Sequence, residues 1–545
     1  MGRFRVIITV FLLLAASIAA AGLFTYNRPF KGDIPSFSVT RAIEDIRVIS
    51  RKPHSVEHQL ERIAVRDYLS SRIEEIGGNP EVFEYDDSIS NLYCRFEPEG
   101  GKTGQYLLLT AHYDSRFAQA VLGDTVYSYG AADDGYGLAV NLELLRSALS
   151  YRNEWKHGLK ILFTDSEERD LDGMRCALAR NPELFDNVGL VINVEARGVR
   201  GPALLFETSP GNSKLLSFYC NHAVHPYTYS ITGAVYRLLP NFTDFTLLKD
   251  KYPGFNFAVI DDLNHYHTDR DNFSNISPKS LRHYGEQLAP MVREYLTSDS
   301  YPAGFFSASS DAVAFTLPGL GTVLADRDLS LLLFSAAFAM YCMLLCLAVV
   351  KGGASVSGMF RQALYVLAAS VMLLCAGEAV AFVSARIAGT PFRLVSTNYI
   401  KGDWLVTILS LTVMCIAYLA VFLRKRSETG RVAEHILGTM LCLLAFSVPM
   451  EIFCGESFFL SAPVGIAALS LVFGRLRYLG FLPMVAAALI VTTFAPFVFN
   501  LYKALTIGSL GIVLFISFYY IVLIATLVWH FLTDRQYGKL RQRKI

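Results

Sequence analysis

Two adjacent glutamates, Glu167 and Glu168, follow a run of apolar or β-branched residues that ends at Thr164 in ILFTDSEERD (161–170). Alone, an acidic pair after a strand reads as a solvated loop or as the first turn of a helix, where negative charge suits the dipole. The pair gains weight from the residues that stand after other apolar runs. His112 and Asp114 come after YLLLT (106–110), and Glu195 comes after VGLVINV (188–194). His265, His267, Asp269 and Asp271 come after FNFAVI (255–260), and a glycine-rich loop, GAADDGYG (130–137), carries Asp133 and Asp134. Gathered in one place, so many carboxylates would repel one another. A pair of divalent cations would neutralise them, and mixed imidazole and carboxylate ligands suit zinc. The chemistry in view is therefore metal chemistry.

Gathering these residues requires particular elements. Residues 38–50 and 58–76 read as amphipathic helices. In the second, Leu60, Ile63, Ala64, Tyr68, Leu69, Ile73 and Ile76 recur at helical spacing, and Gly77 and Gly78 end it. YLLLT, LKILFT (159–164), VGLVINV, ALLFET (203–208) and FNFAVI read as buried strands. An apolar helix around 135–150 separates the first two, and 278–296 reads as a closing helix. This alternation predicts an α/β fold with a mixed, mostly parallel sheet covered by helices on both faces. Ligands of such sheets bind outside the carboxyl ends of the strands, where the acidic and imidazole residues stand.

The rest of the chain has another character. Of 545 residues, 52% are hydrophobic and 18% charged, against about 25% charged in an ordinary soluble protein. Mean hydropathy is +0.35, which points to a membrane protein. Residues 6–24 form one uncharged apolar run, and from about 329 onward runs of membrane-spanning length succeed one another. They fall near 329–350, 361–384, 404–423, 435–454, 457–473, 478–499 and 509–532, which with the first run makes about eight spans. Three parts are expected: an N-terminal anchor at 1–25, an extracytoplasmic domain at 26–328 and a C-terminal α-helical transmembrane domain at 329–545.

Positive charge orients the spans. Arg3 and Arg5, then Lys351 and Arg361, then Arg424, Lys425, Arg426 and Arg431, then Arg475 and Arg477, then the basic C-terminus all fall on one side. Both termini are then cytoplasmic and residues 25–328 lie outside; Arg386, Arg393 and Lys401 run against the rule. SIAAAG (17–22) offers small residues for cleavage, but the length of the first apolar run favours an uncleaved anchor. Only Cys94, Cys176 and Cys220 of the nine cysteines fall in the outer domain, so at most one disulfide could form there. A net charge of +1 and the lack of a basic patch interleaved with aromatics argue against nucleic-acid binding.

AHYDS, GAADDGYGLA, FTDSEE, INVEARG and YHTDRD occur in that order between about residues 40 and 297. At these residues the chain resembles the di-zinc aminopeptidases, the co-catalytic zinc exopeptidases that also include glutamate carboxypeptidases and glutaminyl cyclases. It is most similar to their membrane-bound branch in endoplasmic reticulum and vacuolar membranes, which also carries segments like KPHS (52–55) and NFTDF (241–245). The resemblance implies two zinc ions per chain. His112 and Glu195 would bind one, Glu168 and His267 the other, and Asp133 would bridge both. Asp114 would hold the His112 imidazole through its other nitrogen, and Glu167 would be the general base. The YHT pattern favours His267 over His265, and the spacing after Gly130 favours Asp133 over Asp134.

The expected function is that of a membrane-anchored zinc metallopeptidase of aminopeptidase type, with peptides as substrates and lipid as surroundings. A glutaminyl cyclase-like acyltransferase, or a non-catalytic receptor or transporter-associated ectodomain, is the alternative. Compact loops between spans suggest a bacterial inner membrane with the site in the periplasm; an organelle membrane with a luminal site is the other reading. Glu378, inside a span, is either functional or placed to reach water.

Overall fold

The computed structural model describes residues 2–541 apart from 25–31, 86–87, 100–103, 122–123, 238–240, 308–309, 318–320, 393, 395–399, 401, 426–428 and 477. The expected boundary at 25–26 lies outside the described residues, as do the charges at Arg393, Lys401, Arg426 and Arg477. The chain forms two compact units, one of Tyr26–Thr316 with Leu320–Asp326, the other of Met1–Thr25, Leu317–Gly319 and Arg327–Ile545.

In chain order, helix α1 spans Gly2–Phe24, α2 Val39–Ile49 and α3 Gln59–Glu75. Strands β1 (Glu81–Glu84), β2 (Ser90–Phe96), β3 (Tyr106–His112), β4 (Gln119–Val121) and β5 (Asp124–Val126) come after them. Next are α4 (Gly135–Leu149), β6 (Gly158–Thr164), α5 (Asp172–Arg180), β7 (Val188–Ala196), β8 (Leu204–Thr208), α6 (Ser213–His222), α7 (Ser230–Arg237) and α8 (Asp244–Leu248). The first unit ends with β9 (Gly254–Val259), α9 (Pro278–Thr297), β10 (Ala312–Leu317) and β11 (Gly321–Asp326).

Seven strands form the central sheet in the order β1-β2-β6-β3-β7-β9-β8. The four inner strands β6, β3, β7 and β9 run parallel. β1 and β2 join antiparallel at one edge and β8 at the other. Both faces of the middle are buried, which explains the unbroken apolar runs. Leu107, Leu109, Ile161, Phe163, Ile192 and Val194 enter one core with α2, α4 and α9. Residues next to them along the strands, Leu108, Leu162 and Val191, enter a second core with Met174, Phe245 and Leu248. This is the two-residue alternation of a strand covered on both sides. ALLFET is a strand but not a parallel one, and β1 and β2 were not legible as strands. No disulfide joins Cys94, Cys176 and Cys220.

The second unit continues with α10 (Arg327–Gly352), α11 (Val356–Ala388), α12 (Asp403–Lys425), α13 (Thr429–Cys454), α14 (Phe458–Phe473), α15 (Leu482–Leu505) and α16 (Leu510–Arg541). Among the described residues, 5 stretches are long and apolar enough to cross a membrane, and one of them, Leu482–Thr533, runs through both α15 and α16. Ile7–Ala20 and Phe458–Phe473 are shorter apolar helices. Glu378 has a structural partner: its Oε1 accepts the Gly511 N–H at 3.2 Å, at the start of α16.

Candidate metal centre

His112 ends β3 in register with Thr164, the end of β6, so the loops leaving these neighbouring strands emerge side by side. The loop before α4 reaches the same place because Asp134 caps that helix, accepting the Gly137 N–H at 2.9 Å and the His112 N–H at 3.3 Å. Gly137 permits this fit: a Cβ there would lie 2.3 Å from the Asp134 carboxylate and 2.5 Å from the Val194 carbonyl. Two residues at the centre, Ser166 (φ 54°) and His267 (φ 59°), adopt left-handed backbone, which non-glycine residues sustain only where the surroundings over-determine it.

Two clusters of ligand atoms result, His112 with Asp133 and Glu195, and Asp133 with Glu168 and His267. Within each, one ligand atom per residue lies within 4.8 Å of the others. Asp133 belongs to both and gives each a different oxygen. Its Oδ1 is 3.3 Å from His112 Nε2, and its Oδ2 is 3.3 Å from His267 Nε2. Glu195 Oε2 is 3.6 Å from His112 Nε2, and Glu168 Oε1 is 3.0 Å from His267 Nε2.

The remaining oxygens and nitrogens are tied back to the protein. Glu195 Oε1 accepts from Asn193 Nδ2 at 3.2 Å. Glu168 Oε2 accepts from Arg116 Nη1 at 2.8 Å, and the same nitrogen donates to the Glu168 carbonyl at 3.0 Å. His112 Nδ1 lies 2.9 Å from the Asp114 carbonyl and 3.4 Å from its carboxylate. The Asp114 carboxylate also accepts the backbone N–H groups of Glu167 (2.9 Å) and Glu168 (3.2 Å), joining the β3 and β6 ends. Ala132 and Asp133 donate their N–H groups to Asp271 at 2.7 and 3.2 Å.

Three buried atoms, Asp133 Oδ2, Glu168 Oε1 and His267 Nε2, have no hydrogen-bond partner among the described residues, and all belong to one cluster. Buried polar atoms left in this way call for an explanation such as an ion. Hard carboxylate oxygens with imidazole nitrogens are a donor set that fits zinc.

The electrostatics agree. Burial pushes the Glu167 carboxyl well above the ordinary range; His112 opposes the shift, while Glu195 and Glu168 add to it. Burial likewise raises Glu195 to about 8. Burial alone would lower His112, but Glu167, Asp114, Asp133 and Glu195 hold it well above its usual value. Glu168 is held low against the effect of burial by His267 and Arg116. Negative charge is in excess, and a bound cation removes the conflict.

The structure brings His112, Asp114, Asp133, Glu167, Glu168, Glu195 and His267 together. His265 turns away, with Nδ1 3.1 Å from the Asp262 carbonyl, and Asp269 is exposed and in neither cluster. Glu143 is structural: it pairs with Arg41 at 2.9 Å and accepts the Ser38 N–H at 3.2 Å. Sequence reading missed Arg116 and Asn193. A lone arginine two residues past Asp114, and an asparagine inside an apolar run two residues before Glu195, were the available signals.

Residues 91–292 match the peptidase family M28. Endoplasmic reticulum metallopeptidase 1 of Mus musculus is 28% identical over 287 residues, covering 52% of this chain and 30% of that protein. The vacuolar membrane protease of Candida albicans is 28% identical over 313 residues, covering 54% of this chain and 35% of that protein. The matched stretch is thus about a third of the length of either relative. Among solved structures, a Zn-dependent exopeptidase from Parabacteroides distasonis aligns with a TM-score of 0.38 at 18% identity, over 48% of this chain and 99% of that one. A glutaminyl cyclase from Porphyromonas gingivalis aligns with a TM-score of 0.37 at 19% identity, over the same shares.

Proposed function

We propose that this chain, whose residues 91–292 form a peptidase family M28 domain, is a membrane-anchored zinc aminopeptidase holding two ions. The observation that carries this reading is the sharing of Asp133 between two three-residue clusters, one oxygen to each. His112, Glu195 and Asp133 would hold one ion, and Glu168, His267 and Asp133 the other. A zinc pair bound there would supply a Lewis acid for the scissile carbonyl and make a water acidic enough to react near neutral pH.

The chain's own residues do the rest. Glu167 is the general base. Its carboxyl is buried beside the clusters but belongs to neither, so it is free to take a proton from water and return it to the leaving amine. Asp114 fixes the His112 ring and, through its carboxylate, the backbone that carries Glu167 and Glu168.

The proposed organisation is an anchor at 1–25, a peptidase domain at 26–328 on the outer side of the membrane, and a multi-span domain at 329–545. The membrane is a bacterial inner membrane, with the site in the periplasm.

The test is full-length protein in detergent, wild type beside Glu167→Gln, assayed on free and N-terminally blocked aminoacyl peptides with zinc measured on the same samples. Wild type should cleave free N-termini only. The variant should keep its zinc and lose about 10²–10⁴-fold in turnover. Cyclisation of N-terminal glutamine without cleavage would replace this reading with an acyltransferase. Failure of the wild type to bind zinc would remove the metal assignments.

A further inference from the structure

A crevice opens in the membrane unit because α12 packs on α16, whereas α11 packs on α13 and α16. The cavity between α11, α12 and α13 holds about 820 Å³. Along α11 its lining runs from Arg361 to Ala376, about 22 Å at the helical rise. One leaflet of a bilayer's hydrocarbon core is about 15 Å thick, so the crevice is long enough to take lipid chains.

Its polar groups gather at one end. Arg361 and Gln362 lie near the start of α11, His435 near the start of α13, and Tyr418 near the end of α12. Tyr418 Oη and His435 Nε2 are 3.2 Å apart, and His435 Nδ1 lies 3.3 Å from Gln362 Oε1. This chain of contacts crosses all three helices. The other end is apolar, with Leu373 and Met414 among its walls. One polar end and one apolar end describe an amphiphile.

Arg361 decides its charge. Its side chain is exposed at this end of the crevice. The acid beside His435, Glu434, is turned to the start of α11, where Oε1 accepts the Ser355 N–H at 2.9 Å and its hydroxyl at 2.8 Å. An exposed guanidinium at the end of a span reaches the headgroup layer, and phosphate is the anion its planar fork fits best. Basic pockets between membrane helices take anionic headgroups.

We propose that this crevice is a binding site for one anionic phospholipid of the surrounding bilayer, with its phosphate on Arg361 beside the Tyr418–His435–Gln362 chain and its acyl chains along α11. The proposal rests on the membrane reading of this unit and is independent of the peptidase assignment.

Full-length protein is stripped of lipid in mild detergent and offered phosphatidylglycerol or phosphatidylcholine, and native mass spectrometry counts the lipid retained per chain. Wild type should retain one phosphatidylglycerol with a preference of about tenfold, because the choline cation of phosphatidylcholine offsets the phosphate charge that Arg361 meets. Arg361→Gln should abolish the preference, and Arg361→Lys should keep part of it. Ala369→Trp, which fills the crevice wall, should reduce retention of both lipids. Equal retention of the two lipids by wild type, or unchanged phosphatidylglycerol binding in Arg361→Gln or Ala369→Trp, overturns the proposal. If Arg361→Gln does not fold, the Lys and Trp variants decide.

Discussion

Asp133 is the residue through which the two clusters communicate, because no other side chain among the described residues offers an atom to both. Substituting it differs in kind from substituting His267 or Glu195. Asp133→Asn should lower zinc content at both positions, whereas His267→Ala and Glu195→Gln should each lose one ion first. Metal analysis across a chelator titration separates the outcomes, and a single-ion loss in Asp133→Asn would refute the bridge. Arg116 acts one step further out. By occupying Glu168 Oε2 it leaves only Oε1 for the centre. Removing such a supporting contact costs about 10–100-fold in metal affinity. Arg116→Ala should therefore release one ion that much more readily, and Arg116→Lys should recover part of the loss. The residues of the two clusters were legible in the sequence because they stand in short motifs after apolar runs. Arg116 and Asn193 were not, because their roles depend on which oxygen of a carboxylate faces inward, a matter of packing.

At the scale of elements, the four inner strands were legible because burial on both faces leaves unbroken apolar runs. β1 was not: EVFE is largely exposed and alternates too briefly to stand out. β8 reads like its parallel neighbours, and nothing in ALLFET marks its direction, which is set by the path of the connection after β7. The segment KPHS shows what a motif can do without touching the centre. The His54 N–H donates to Ser115 Oγ at 3.0 Å, and the Ser115 N–H donates to the His54 carbonyl at 3.3 Å, pinning the loop that carries Asp114. Burial depresses the His54 imidazole from 6.5 to about 4. Above pH 6.5 the ring is neutral in the folded and unfolded chains alike. Below 6.5 the unfolded chain takes the proton first, so this contribution to stability is lost as pH falls from 6.5 to about 4. The full loss is roughly 3 kcal/mol at about 1.4 kcal/mol per pH unit. The stability gap between wild type and His54→Gln should therefore narrow over that interval in thermal or denaturant melts. A gap constant with pH would show that His54 ionises equally in both states.

The whole molecule divides by solvent. The buried side chains of the two cores of the sheet lie between residues 37 and 314, within one unit. Its large exposed apolar side chains are scattered: Leu60, Val82, Val224, Phe242 and Val323. The other unit presents apolar surface in rows, as with Leu331, Leu332 and Leu333 on α10 and Ile408, Leu409 and Val413 on α12, a surface that suits lipid rather than water. A fragment of residues 26–328 should therefore be soluble without detergent, fold cooperatively and bind two zinc ions. Ligand excess of a hundredfold over Kd adds about 2.7 kcal/mol per site, and at about 2.1 cal/mol/K per residue a domain of about 300 residues shifts by about 1.6 °C per kcal/mol. Chelation should then lower the melting midpoint by roughly 4 °C for each ion removed. Calorimetry with and without chelator, alongside peptide turnover by the same fragment, checks both halves of the argument. A fragment that folds and binds zinc but turns over nothing would move the membrane helices from anchor to participant, since the metal centre would then be complete and the deficit would lie in what 329–545 adds to it.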